Sequence, residues 1–122
     1  MLKKIIVSLG VLLLFFPSVA LEYKAPPPLP KPTINDLITL YAHRYDISEK
    51  SLHIVIKCES NYKPNAIGDG GNSFGLVQIH LPSHPHITKA QALDSEYAIN
   101  FLAKSIKKGE GHIWTCYRDM LM

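Results

Sequence analysis

Ser51-Leu52-His53-Ile54-Val55-Ile56-Lys57-Cys58-Glu59-Ser60-Asn61-Tyr62-Lys63-Pro64-Asn65-Ala66, followed at residues 75–79 by Gly75-Leu76-Val77-Gln78-Ile79, decides how the chain folds. Leu52, Val55 and Ile56 precede Glu59 by seven, four and three residues. On a helix, those spacings bring the three apolar side chains and the carboxyl group onto one face. A carboxyl on the core-facing stripe loses water, and desolvation raises its pKa above the usual carboxylate range. That is the condition of a general acid, which must hold a proton near neutral pH and still release it. The glycine-bearing run Asn65-Ala66-Ile67-Gly68-Asp69-Gly70-Gly71-Asn72 follows, polar enough to leave room for a ligand beside the helix end. A glutamate at a helix end is more often a solvated surface residue, so position alone does not assign chemistry.

Outward from this stretch the periodicity is helical. Leu37, Leu40, Tyr41 and Arg44 recur at helical spacing, so residues 34–45 are expected to form an amphipathic helix capped by Thr33 or Asn35. Ser48 is expected to cap a second helix over residues 49–60, and Pro64 limits its continuation. Residues 65–72 carry turn chemistry, compatible with a hairpin or a tight loop, and residues 73–80 are apolar enough to be extended. Two prolines make residues 80–86 a loop. Thr88 can cap a short helix ending at Leu93, and Asp94 a longer one over residues 95–108 with a stripe of Ala98, Phe101, Leu102 and Ser105. Lys107, Lys108 and Gly109 close it, cations before glycine. The tail holds Trp114, Cys116 and Tyr117 and is expected to turn back onto the core, with Trp114 buried rather than serving as a sugar platform. The class is mainly α, with a short irregular or β-hairpin insertion after the glutamate-bearing helix.

The chain divides into residues 1–20, a secretory signal; residues 21–32, a proline-rich spacer; and a domain over residues 33–122. Lys3 and Lys4 precede an apolar run that Pro17 cuts short, and Ser18-Val19-Ala20 offers a small-residue cleavage site. The run is shorter than the ~20 apolar residues of a spanning helix, so cleavage is favoured over an uncleaved anchor, and contact with membrane is expected only through this segment. Five prolines among residues 25–32 make a semi-rigid stalk. Cys58 and Cys116, in a chain sent to the periplasm or beyond, are expected to pair rather than remain as two buried thiols. Losing Lys3 and Lys4 leaves eleven basic residues of the original thirteen against ten acids, with no basic stripe interleaved with aromatics, which argues against a nucleic-acid partner.

The two quoted segments together resemble the signature of lytic transglycosylases of the soluble-transglycosylase type, within the lysozyme-like superfamily. Glu59-Ser60, the aromatic Tyr62, Lys63-Pro64-Asn65-Ala66 and then Gly75-Leu76-Val77-Gln78-Ile79 carry the likeness, with Val77 where methionine is usual. Residues 92–102 are similar to the family's third helix. The resemblance implies a lysozyme-like fold with a groove for strands of N-acetylglucosamine and N-acetylmuramic acid. It implies Glu59 as catalytic acid and then base, with the sugar's own hydroxymethyl oxygen closing a 1,6-anhydro end. Ser60 and Ser73 become candidates to hold the acid or the sugar, Gln78 to line the groove, and Tyr117 to match a tyrosine near the family's C-terminal end. No cofactor or metal is implied.

Most glycosidases need a second carboxylate. Asp94 and Glu96 sit where helix caps and first turns belong, leaving Asp69 as the candidate second carboxylate of a hydrolytic lysozyme. The segment after Gln78 is short for the family, so the groove is expected to be shallow, and a Cys58–Cys116 bridge would anchor the tail one residue from the acid. Such a bridge implies that reduction lowers activity as well as stability. His80, His84 and His86 are arranged like metal ligands, but the intervening prolines and missing fourth ligand favour a plain polar loop. His43, His53 and His112 are expected at the surface or half-buried. Two other classes compete with an enzyme: a non-catalytic glycan-binding module, and a structural part of a secretion or virion apparatus.

Overall fold

The computed structural model describes residues 10–122. Residues 1–9, and with them the start of the expected signal segment, lie outside the described residues. Residues 10–32 carry no helix or strand and are exposed. No helix among the described residues is long and apolar enough to cross a membrane.

Among the described residues, five α-helices accompany a small antiparallel sheet. The first, α1 (Ile34–Tyr45), begins at a capping box in which Thr33 Oγ1 accepts from the Asp36 amide at 3.2 Å and the Thr33 amide donates to Asp36 Oδ2 at 2.8 Å. This reciprocal pairing satisfies amides that the first helical turn leaves unpartnered. Its buried face is Leu37, Ile38, Tyr41 and Ala42, whereas Leu40 is 44% exposed. The expected stripe is therefore rotated: Leu37 and Tyr41 are core positions, Leu40 is not. Arg44 faces outward and lays its guanidinium over the Tyr41 ring at 4.8 Å. Asp46 ends the helix in a left-handed conformation.

The second helix, α2 (Glu49–Ser60), starts after Ser48, which occupies the cap position without a side-chain capping bond; its carbonyl instead accepts from the Ser51 amide at 3.1 Å. Leu52, Val55 and Ile56 are fully buried. Asn61 closes the helix at φ 49°, and Tyr62 follows at φ 61°. A bulky residue in the left-handed region costs about 1–2 kcal/mol. The His53 ring, Nδ1 to Tyr62 Oη at 2.9 Å, clamps Tyr62 there.

Beyond it, β1 (Ile67–Gly68), β2 (Ser73–Phe74) and β3 (Ile79–His80) form a three-stranded sheet in sequential order. Gly68 pairs with Ser73, and Ser73 with His80. The turn-rich run 65–72 is thus a hairpin, and the apolar run 73–80 folds into a second one instead of extending. Its turn starts at Gly75, φ 83°, where an added Cβ would collide with the Ala92 carbonyl. Only glycine serves, because the position needs both a left-handed backbone and a bare Cα.

The short helix α3 (Lys89–Leu93) is capped by a Thr88–Gln91 box, and α4 (Ser95–Lys107) by Asp94 Oδ1 accepting from the Tyr97 amide at 2.7 Å. Helix α4 buries Ala98, Ile99, Leu102, Ala103 and Ser105, leaving Phe101 half-buried. It packs along α1, joined by Tyr41 Oη donating to Glu96 Oε1 at 2.9 Å and Tyr45 Oη to Asn100 Oδ1 at 2.7 Å. The core lies where α1, α2, α4 and the sheet converge, centred on Ile38, Ile56, Leu76, Ile79 and Leu102. The last helix, α5 (Thr115–Leu121), packs on α2, to which the Cys58–Cys116 disulfide ties it. Trp114 precedes it, buried at 6% exposure, with Nε1 donating to the Val77 carbonyl at 2.8 Å.

Two stability outcomes follow. The disulfide spans 58 residues, so replacing both cysteines by serine should lower unfolding free energy by about 4 kcal/mol in chemical denaturation. Gly75→Ala should cost at least about 2 kcal/mol in the same measurement, since the left-handed penalty adds to the clash with α3.

Candidate active site

Glu59 leaves the last turn of α2 half-buried, beside a cavity of about 540 Å³ that it lines. That volume lies within the range of small-molecule sites, about 300–1,000 Å³. The apolar residues one turn and two turns earlier hold this edge of the helix against the core, so the carboxyl cannot turn fully into water. Burial pushes its pKa up from the ordinary 4.5, and the nearby Asp69 carboxylate pushes it further in the same direction. Both causes disfavour the charged form.

Asp69 reaches the same cavity from the turn between β1 and β2. Its backbone is left-handed at φ 51°, and its Oδ2 accepts the hydroxyl proton of Ser73. Ser73 is almost fully buried, also lines the cavity, and leads β2. One hydrogen bond therefore fixes the second carboxylate to the sheet.

Gln78 lines the cavity as well, but its amide is largely spent on the fold. Nε2 donates to the Ala66 carbonyl at 3.2 Å and to the Gly75 carbonyl at 3.0 Å, and Gly68 has no room for a Cβ because Gln78 Oε1 lies over it. With both amide protons committed, only Oε1 is left for another partner. Gln78, itself at φ 52°, is thus a latch between the two hairpins.

Two further sequence candidates fall outside the lining. Ser60 is buried with its Oγ donating back to the Ile56 carbonyl at 3.0 Å, the usual recourse of a serine inside a helix. Tyr117 is half-buried with its ring against Gly111, where a Cβ would strike it. Neither residue lines the cavity: the Ser60 hydroxyl is turned to its own helix, and the Tyr117 ring packs on the turn before α5.

The remaining walls come largely from residues that the sequence assigned to the core or to a polar loop rather than to the site. Phe101 on α4 and Trp114 meet edge to face at 5.9 Å between centroids, and His84 meets Phe101 in the same way at 5.2 Å. Trp114 is a core residue, as expected, and it also lines the cavity. His80 and Ser83, joined at 2.8 Å between Nδ1 and Oγ, complete the rim. Phe101 was visible in the stripe of α4 and the two histidines in one proline-bearing loop, but nothing in the sequence joins either to Glu59.

The disulfide adjoins the acid. A Glu59 carboxyl oxygen and the sulfurs of Cys58 and Cys116 lie within 4.8 Å of one another. Both sulfurs are committed to each other, so this grouping is a staple beside the acid rather than a set of thiolate ligands.

No curated protein and no solved structure matches the chain. The profile of the Transglycosylase SLT domain family matches residues 36–121, from α1 to the last residue of α5. A match of that extent takes in Glu59, both hairpins and the stapled tail together, and the chain belongs to the Transglycosylase SLT domain family, whose members are lytic transglycosylases of peptidoglycan.

Proposed function

We propose that this chain is an exported enzyme that cuts peptidoglycan strands between N-acetylmuramic acid and N-acetylglucosamine, with Glu59 as the only proton-transfer residue. Glu59 gives its proton to the glycosidic oxygen as the bond to C1 breaks. The carboxylate so formed takes the proton of the same sugar's C6 hydroxyl while that oxygen closes on C1. The product is a 1,6-anhydro end, no water is consumed, and Glu59 is again protonated. The observation carrying this reading is one half-buried carboxyl, its pKa raised by burial, on the wall of a sugar-sized cavity. Export is supported by the signal-like segment, by the disulfide, and by the extracytoplasmic substrate of the family.

Asp69 favours a second reading. It lines the same cavity, and a carboxylate beside the acid is what a hydrolase uses to stabilise the cation or activate water. In the preferred scheme its charge serves instead to keep Glu59 protonated, and Ser73 holds it in place for that.

Incubation of the purified protein with peptidoglycan, followed by mass analysis of released fragments, separates these readings. Anhydro ends are expected. Reducing ends, heavier by one water, would establish the hydrolase, and absence of release would leave a glycan-binding or structural module. Glu59→Gln should lower the cleavage rate by about 10³-fold, within the range of general acid catalysis, without unfolding the domain. Wild-type cleavage by that variant would overturn the assignment.

The pH profile carries a sign. Only protonated Glu59 starts the reaction, so activity should fall as pH rises through its elevated pKa. Asp69→Asn removes a negative charge that favours the proton, so the alkaline limb should move to lower pH. Desolvation, the larger cause, remains, and the limb should stay above the ordinary carboxylate value. Because Asp69 is exposed, the displacement should shrink with added salt.

A further inference from the structure

Four ionisable side chains line the cavity among the described residues: Glu59, Asp69, His80 and His84. No lysine or arginine joins them. The Asp69 carboxylate at such a site repels an anionic substituent, and the two imidazoles are the groups able to receive one. They differ in freedom. His80 has its Nδ1 engaged by Ser83, whereas neither ring nitrogen of His84 has a hydrogen-bond partner among the described residues. His84 is nevertheless oriented, its ring edge-on to Phe101 at 84° between planes and near-perpendicular to His86. A half-buried ring held by packing, with its polar atoms unspent at a cavity wall, is preorganised for a ligand. An imidazole keeps at least one N–H in either charge state, so it can always donate to an oxygen.

Resting on the strand-cutting reading above, we propose that His84 receives the lactyl carboxyl group of the N-acetylmuramic acid residue, and so sets which of the two alternating sugars stands beside Glu59. Muramic acid differs from its neighbour in the strand by this one substituent on O3, an oxygen acceptor whether it ends as a free carboxylate or as the amide carbonyl of a stem peptide. Seating it on His84 gives it a hydrogen-bond donor that Asp69 cannot offer, whereas N-acetylglucosamine in the same place carries no such group for His84 to receive. The wall therefore discriminates between the two sugars, and hence between the two kinds of glycosidic bond in an alternating strand.

The test uses the full chain carrying Glu59→Gln, so that binding is read without turnover. Tetrasaccharides of alternating N-acetylglucosamine and N-acetylmuramic acid, without stem peptides, are compared with chitotetraose, which has the same backbone and no lactyl group. The His84 ring resonances should move on addition of the first and stay in place with the second. Adding His84→Phe, which keeps an aromatic ring against Phe101, should reduce the ratio of the two affinities by about tenfold, the value of one hydrogen bond to a charged group. Equal movement of the His84 resonances with both sugars, or an unchanged ratio, would overturn the assignment. An effect confined to strands bearing stem peptides would also overturn it, in favour of peptide recognition. Failure of the wild type to cut any strand would sink the enzymatic reading alone, because the binding comparison does not depend on cleavage.

Discussion

Withdrawal of the Glu59 carboxyl from water, on the face of α2 that Leu52, Val55 and Ile56 bury, is the constraint around which the rest of the domain is arranged. An acid left half in the core carries a cost whenever it ionises, since its charge loses solvation that the interior does not replace. The fold tolerates this because it surrounds the position with structure that cannot easily relax: the sheet on one side, the tail held by Cys116 on the other. Were the end of α2 free to fray, the carboxyl would reach water and its pKa would return toward the ordinary carboxylate value.

Several features that look unrelated serve that one end of α2. Asn61 and Tyr62 both adopt left-handed backbones, which turns the chain sharply away and opens the cavity beside the last helical turn. His53, two turns earlier on the same helix, holds Tyr62 in place. Gln78 spends its amide protons on Ala66 and Gly75, so the two hairpins that share Ser73, and with them Asp69, are held to each other. Strain in the backbone is thus concentrated next to the acid and offset by side-chain hydrogen bonds around it, a common arrangement where geometry matters more than local stability.

Much of this was legible before any coordinates. Helix boundaries followed from spacing and caps, because Thr33, Thr88 and Asp94 satisfy amides by purely local bonds. Glu59 was legible for the same reason, since a helical face is set by residue spacing. What could not be read is tertiary in origin. Leu40 matches helical period as well as Ile38 does, and only the position of α4 decides which is covered. The turn at Gly75 exists because α3 presses against it, and α3 lies seventeen residues onward at Ala92. Ser60 and Tyr117 were suggested by motif position, yet a hydroxyl's direction depends on the nearest free carbonyl and on packing. Phe101 and His84 carry no motif, and they become neighbours only when the loop after β3 folds over α4.

A domain of this size has too little interior to support a deep groove by packing alone. Lengthening the wall with further helices would be one remedy. Here α5 is fastened instead to the residue before the acid. The bridge acts chiefly on the unfolded chain, by restricting its ensemble, so it adds stability without needing more buried apolar surface. It also places Thr115 and Trp114 on the cavity wall, with Trp114 donating into the turn that Gln78 latches. One covalent bond thereby does two physical jobs, raising the stability of the fold and holding one wall of the cavity. The consequence is a dependence: the shape of this wall and the fold's stability are not separable variables here, and a change that loosens α5 must be felt at Glu59.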